Sequence, residues 1–204
     1  LIDMGYGLGL APARDIVAVK VPVFSFEKLP QVEVSLGPEM KSTGEVLGLG
    51  RSFSTALYKG LISAGYRFKE SGTVLITVAD HDKQEAISIA SEFERLGYEI
   101  YATEGTAHVL RSNYIAANTI SKLREESPNI EDYLAEGNID IIINTPTKGR
   151  IPHRDGFQIR RRAAEYSIPC FTSLDTANAF LDSLKRHVKG VDIWDEKIIE
   201  LEEL

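Results

Sequence analysis

Three short stretches of the 204-residue chain gather residue types suited to holding a phosphate group. Thr103-Glu104-Gly105-Thr106 offers two hydroxyls around a glycine that lets a ligand approach the backbone closely. Asn144-Thr145-Pro146-Thr147 runs directly into Lys148-Gly149-Arg150, so amide and hydroxyl donors precede two cations flanking a flexible residue. Lys83 sits in the expected first turn of a helix, where a cation is a poor partner for the helix dipole. An anion lying between Lys83 and the helix start would relieve that mismatch. A phosphate monoester carries close to two negative charges, and it is bound by N–H groups at a helix start, by hydroxyls and by at least one cation. Charge-assisted hydrogen bonds contribute about 1.5–3 kcal/mol each. Three or four of them give micromolar affinity after association costs of at least several kcal/mol. Each stretch also admits a plainer role. Thr103 and Thr106 could cap a helix, Lys148 and Arg150 could be solvated turn charges, and Lys83 could lie on an exposed helix face.

The elements that must position these loops are legible in the hydrophobic pattern. TVLITV (73–78), YEIYAT (98–103), IDIIIN (139–144) and IPCFT (168–172) read as strands, the nearly continuous apolar runs being those expected of strands covered on both faces. Between them lie helical patterns. Asp82 and Glu85 form a cap-and-third-residue pair before Ile87, Ile89, Ala90, Phe93 and Leu96. GTAHVLRS opens a short helix, and Ala116–Leu123 leads to another near Ile130–Glu136. Arg160–Tyr166 and Thr176–His187 complete the set. Alternating strands and helices predict an α/β fold, a mainly parallel sheet with helices on both faces. Ligands of such sheets sit beyond the carboxyl ends of the strands, and the three loops follow 73–78, 98–103 and 139–144. All three are therefore expected on one edge. Upstream, residues 1–50 read as strands and loops, with alternation at Ile16–Val23. Residues 52–65 read as a helix capped by Ser52, with Phe53, Leu57, Leu61 and Ile62 on one face and Gly65 as its stop.

Composition narrows the function classes. The hydrophobic fraction of 43% suits a chain with a real core, and no apolar run reaches the roughly 18 residues of a membrane span. The single cysteine, Cys170, excludes an internal disulfide framework, and a reducing cytoplasm is the expected setting. Residues 1–70 are close to neutral, whereas the remainder carries fifteen basic against twenty-three acidic residues. Such a surface does not suit a nucleic-acid backbone. It leaves room for a small anion where a few cations converge.

LGPEMKSTGEVLG (36–48) and the flanking AVKVPVFSFEKLP (18–30) carry a more specific likeness. Together they resemble the closing segment of the second ATP-grasp unit in the large subunit of carbamoyl phosphate synthetase. The likeness continues to the C-terminus, where the chain resembles that family's methylglyoxal-synthase-like allosteric domain. It implies a C-terminal fragment with an ATP-grasp remnant at 1–50, a linker helix at 51–70 and the allosteric domain at 71–204. The effector-binding positions it implies are Thr77, Lys83, Thr103, Gly105, Thr106, Lys122, Asn144, Thr145, Thr147, Lys148 and Arg150, with Lys122 on a strand. UMP is the expected effector, with IMP or phosphoribosyl diphosphate (PRPP) as alternatives. For the full enzyme the likeness implies a ligase making carbamoyl phosphate from bicarbonate and ammonia for pyrimidine and arginine synthesis. It would use ATP with Mg or Mn, a glutaminase small subunit and large-subunit oligomerisation, while the fragment itself has no catalytic or metal-binding residues.

Two other readings compete. Ala79-Asp80-His81-Asp82-Lys83 resembles the His-Asp-His-x-Lys loop of methylglyoxal synthase, a lyase that needs a carboxylate base beside its triose phosphate. That enzyme's Gly-Gly-Asp segment is here Glu125-Glu126-Ser127, so the glycines and the Asp are gone, although Glu125 or Glu126 could substitute. Alternatively, Arg160–Arg162 could serve a subunit-assembly module, or contact phosphate with Arg154. His81, His108, His153 and His187 lack ligand-like spacing. Cys170 reads as a small core residue, and Trp194 as packing of the acidic tail.

Overall fold

A computed structural model of the chain describes residues 15–24, 42–146 and 155–188. Strand β1 (Val17–Val23) pairs antiparallel with β2 (Gly44–Gly50), and helix α1 (Phe53–Ser63) lies across the pair. Ser52 caps α1 by accepting a hydrogen bond from the Thr55 N–H at 3.2 Å, and Gly65 takes the left-handed φ of +98° after its end. The helix is almost in contact with the strand backbone. A Cβ on Gly48 would stand 2.0 Å from the Ala56 carbonyl oxygen and 2.5 Å from the Gly60 nitrogen. That approach reverses one expectation. The buried side of α1 is built from small residues, Thr55, Ala56 and Gly60, together with Tyr58 and Leu61, while Phe53 is 52% exposed.

The second sheet is five-stranded and parallel throughout. Its strands are β3 (Thr73–Ile76), β4 (Glu99–Ala102), β5 (Asn118–Thr119), β6 (Ile141–Ile143) and β7 (Cys170–Phe171), in the order β5-β4-β3-β6-β7. Helices α2 (Lys83–Arg95), α3 (Glu104–Ser112), α4 (Ile130–Ala135), α5 (Asp155–Glu165) and α6 (Leu174–Val188) connect and cover it. Side-chain alternation splits the core into two clusters. Val74, Ile76, Ile100, Ala102, Ile141 and Ile143 meet Ile89 and Phe93 of α2, Leu110 of α3 and Phe180 and Leu184 of α6. Leu75 and Ile142 face the other way, onto Ile130 and Leu134 of α4 and Ile159 and Ala163 of α5. Burying each such side chain contributes about 1.5–3 kcal/mol. The parallel sheet covered on both faces is the fold class expected from the sequence. Val21 and Leu61 join the first cluster, and Tyr58 stacks on His187 at 4.8 Å, so α1 also packs on this body.

Several local expectations change. The strands are shorter than their apolar runs, because the chain leaves the sheet at Thr77, Thr103 and Asn144 to form loops. Asp82 precedes α2 in helical geometry and makes no side-chain cap, since the 3-10 turn Asp80–Asp82 feeds straight into the helix. Edge strand β5 is only two residues long, too short for an alternating pattern. Lys122 lies beyond it, after the Ser121–Asn129 bridge, and not on a strand. The capping box is instead at α4, where Asn129 accepts from the Glu131 N–H and Asp132 reaches back to the Asn129 N–H.

Candidate functional site

The three loops do meet at the carboxyl edge of the sheet. After β6, Asn144 is only 2% exposed. Its Nδ2 donates to the Thr77 carbonyl at 3.3 Å, and its Oδ1 accepts from Arg160 Nη1 at 2.5 Å. Thr145 is also buried, and its hydroxyl oxygen accepts from the Ala79 N–H at 2.9 Å. The Thr77 N–H donates to the Ile143 carbonyl. These bonds lock the loop after β3 to the loop after β6. The buried faces of Asn144 and Thr145 therefore act as braces, whatever their remaining donors contact.

Across β3, the loop after β4 opens α3. Thr103 is the N-cap residue by position, but its side chain makes no cap hydrogen bond, so the capping alternative is not realised. Thr106 is 2% exposed, and its N–H and that of Ala107 return to the Thr103 carbonyl. The first N–H groups of α3 then face outward, as helix starts do. Lys83 stands over them. Its Nζ lies 3.0 Å from where a Cβ on Gly105 would sit, so the ammonium rests against the first turn of α3 in space a side chain would fill. A cation and a helix start thus meet at this edge, with Thr103 and Thr106 on the same first turn. This is the donor set a phosphate needs.

The ammonium already has a partner. Asp80 Oδ1 lies 2.6 Å from Lys83 Nζ, with the Lys83 side chain 21% exposed and the Asp80 side chain 94% exposed. The hydrogen bond from Lys83, then its charge, hold the Asp80 carboxyl below its usual range; desolvation opposes them, and the His81 charge is the smallest contribution. The sequence did carry a sign of this pair, an acid three residues before a base, at a spacing that places them side by side.

The remaining expected residues divide. Lys122 is exposed, and its N–H donates to Glu125 Oε2 at 2.8 Å; no contact ties it to the Lys83 cluster among the described residues. Thr147, Lys148 and Arg150 lie outside the described residues, as do His153, Arg154 and Trp194. Arg160, read from the sequence as an assembly or phosphate contact, is instead buried, 9% exposed, against Asn144. Gly156 one turn earlier makes room for it, a Cβ there falling 3.4 Å from Arg160 Nη1 and from Asn144 Oδ1. Small residues at Gly156 and Ala163 were the available signal. Arg161 pairs with Glu165, and Arg162 with Glu131 and Glu165.

Little here resembles the lyase machinery. Glu125 is bound to the Lys122 backbone, and the Ser127 hydroxyl donates to Asp132 at 2.7 Å. Burial pushes the Cys170 thiol up to about 12, with the Arg160 charge acting in the other direction, which makes it a poor nucleophile. A cleft of about 590 Å³ opens at the opposite, amino end of the sheet, lined by Lys69, Glu99, Tyr133, Glu136 and Asp140 among others. Its carboxylates are committed internally: Asp140 to Lys69 and the Thr73 N–H, Glu99 to Asn118, Glu136 to Asn138. Among the described residues no helix is long and apolar enough to cross a membrane.

Residues 85–172 match the family model described as the MGS-like domain. The chain is 50% identical over 190 residues to the carbamoyl phosphate synthase large chain of Lachnoclostridium phytofermentans, covering 93% of this chain and 18% of that one. It is 50% identical over 195 residues to the large chain of the same name from Clostridium botulinum, covering 95% and 18%. The chain thus spans 18% of the length of the curated relatives it matches. Among solved structures, methylglyoxal synthase from Elizabethkingia anophelis aligns with a TM-score of 0.47 and 18% identity, covering 56% of this chain and 79% of that one. ForH aligns with a TM-score of 0.41 and 20% identity, covering 58% and 82%.

Proposed function

We propose, for a chain that carries an MGS-like domain and is 50% identical to carbamoyl phosphate synthase large chains over nearly its whole length, that it is the C-terminal regulatory part of such a large chain. In this reading residues 71–204 bind a nucleotide effector, residues 51–70 link, and residues 1–50 are the end of the second ATP-grasp unit. The observation that carries the effector site is Lys83 Nζ resting on the uncapped first turn of α3, beside the loop that Asn144 and Thr145 brace. Thr77, Thr103, Gly105 and Thr106 supply backbone and hydroxyl donors at this edge. Lys122, Thr147, Lys148 and Arg150 belong to the same proposed effector site.

UMP is the effector of first choice, because the edge offers one phosphate site with hydroxyl and amide donors beside it; IMP and PRPP are the competitors. Binding would bias the distant ATP site, and such couplings run to about 1–3 kcal/mol. The longer, cytoplasmic enzyme would be a ligase joining bicarbonate and ammonia to make carbamoyl phosphate for pyrimidine and arginine synthesis. ATP with Mg or Mn, a glutaminase small subunit and large-subunit oligomerisation belong to that whole protein, and the 204-residue chain would be catalytically silent. Calorimetric titration of this chain with UMP, IMP and PRPP, for wild type and Lys83→Ala, tests the site. The expected result is micromolar UMP binding weakened at least tenfold by the substitution. Unchanged affinity would refute it.

A further inference from the structure

Lys83 is the cation that rests on the first turn of α3 at the proposed phosphate edge, and in this structure it is already engaged by a carboxylate from its own chain. We propose that Asp80 is a built-in competitor, occupying the Lys83 ammonium when no phosphate is bound and having to yield or share it when one arrives. This rests on the phosphate-site reading above and adds a regulatory residue to it.

The geometry points this way. Asp80 opens the 3-10 turn Asp80–Asp82, whose preceding residue, Ala79, is anchored through its N–H to Thr145. The turn is therefore fixed on the sheet edge, and the Asp80 side chain, 94% exposed, reaches Lys83 from the solvent side, with His81 exposed beside it. Lys83, by contrast, is held largely buried against Gly105. A phosphate binding the first turn of α3 and the ammonium would meet a carboxylate already 2.6 Å from that ammonium. An ammonium has three donors, so partial sharing is possible, but a carboxylate beside an incoming dianion repels it. Pairs this exposed are individually weak and screened by salt. That weakness suits a latch, since a ligand with two charges and several acceptors displaces it at modest cost. It also bears on how a lysine in the first turn of α2 is tolerated: its charge is paired, and in this structure the partner is Asp80.

The test is titration of the 204-residue chain with UMP, and separately with inorganic phosphate, at low and at roughly 0.5 M salt. Variants Asp80→Asn, Glu85→Gln and Lys83→Ala are compared with wild type. Glu85 lies in the same first turn of α2 and controls for net charge. Asp80→Asn is expected to bind both probes about threefold tighter or more at low salt, with the gain shrinking at high salt. It is expected to leave the melting temperature unchanged or slightly lower, so tighter binding cannot come from a stiffer fold. Affinity unchanged or weakened in Asp80→Asn, or a gain matched by Glu85→Gln, overturns the latch. If Lys83→Ala loses binding while Asp80→Asn gains nothing, the latch falls and the site stands. If Lys83→Ala binds as wild type does, or wild type binds neither probe, both fall.

Discussion

Replacing Arg160 by Met probes the brace under the candidate site. The guanidinium is 9% exposed and donates from Nη1 to Asn144 Oδ1 at 2.5 Å, while Asn144 is 2% exposed. Met keeps the apolar stem and removes the donor. Asn144 Oδ1 is then left buried without this partner, which costs about 1–3 kcal/mol, and hydrogen bonds to charged groups lie at the upper end of the usual range. Loss of the charged bond should therefore lower stability by about 2–3 kcal/mol. For a chain of this size each kcal/mol moves the melting temperature by about 2–4 °C, giving a fall of roughly 5–10 °C. The diagnostic quantity is the coupling. Asn144→Ala alone removes the acceptor that Arg160 uses and the donor to the Thr77 carbonyl. The double variant should cost less than the sum of the singles by about 1.5–3 kcal/mol in urea unfolding. Additivity within about 0.5 kcal/mol would show that the two side chains do not act together, and would refute the brace.

Three further outcomes follow from the same structure. Gly48→Ala drives a Cβ to within 2.0 Å of the Ala56 carbonyl and should cost about 3 kcal/mol or more in thermal unfolding, whereas Gly44→Ala, with nothing within 4 Å, should shift stability by under about 0.5 kcal/mol. Hydrogen bonds from the Ser127 hydroxyl, then the Asn129 N–H, hold the Asp132 carboxyl below its ordinary value of 3.8. Its contribution is complete above that value and lost as pH falls through the lower folded one, because the unfolded chain binds the proton first. Asp132→Asn should therefore flatten the acid limb of the stability profile below about pH 4 and leave the slope at pH 6–8 unchanged. With its thiol pushed up to about 12 by desolvation, the partly buried Cys170 should react with an aromatic disulfide at pH 8 more slowly in the native chain than in denaturant, and comparable rates would contradict that desolvation.

The layers of the fold were readable because the physics that builds them is local and periodic. Runs such as Val74–Ile76 and Ile141–Ile143 fit strands covered on both faces, and the spacing of Ile89, Phe93 and Leu96 fits one helix face. What could not be read was set by contacts between distant segments. Phe53 looked like a core residue by helical spacing, but the close approach of α1 to Gly48 puts Ala56 and Gly60 inward instead. Strand β5 has two residues and no period to detect. At the candidate site, the rule that ligands sit at carboxyl edges picked out loops that are neighbours in the structure, where Thr77, Lys83, Gly105, Thr106, Asn144 and Thr145 come together. Their division of labour was hidden. Whether Asn144 faces a ligand or a buried arginine depends on Arg160, sixteen residues later and on another helix. The Asp80–Lys83 pair was close enough in sequence to have been found.

The central claim, that a nucleotide phosphate binds at the carboxyl edge over α3, is tested most directly by titrating UMP into the isotopically labelled chain and following backbone amide resonances. The account predicts the largest shifts at Glu104, Gly105 and Thr106, with smaller ones at Thr77, Lys83 and Thr145. Shifts confined to Ser71, Gly137 and Asn138, in the cleft at the amino end of the sheet, or no shifts at millimolar UMP, would contradict it.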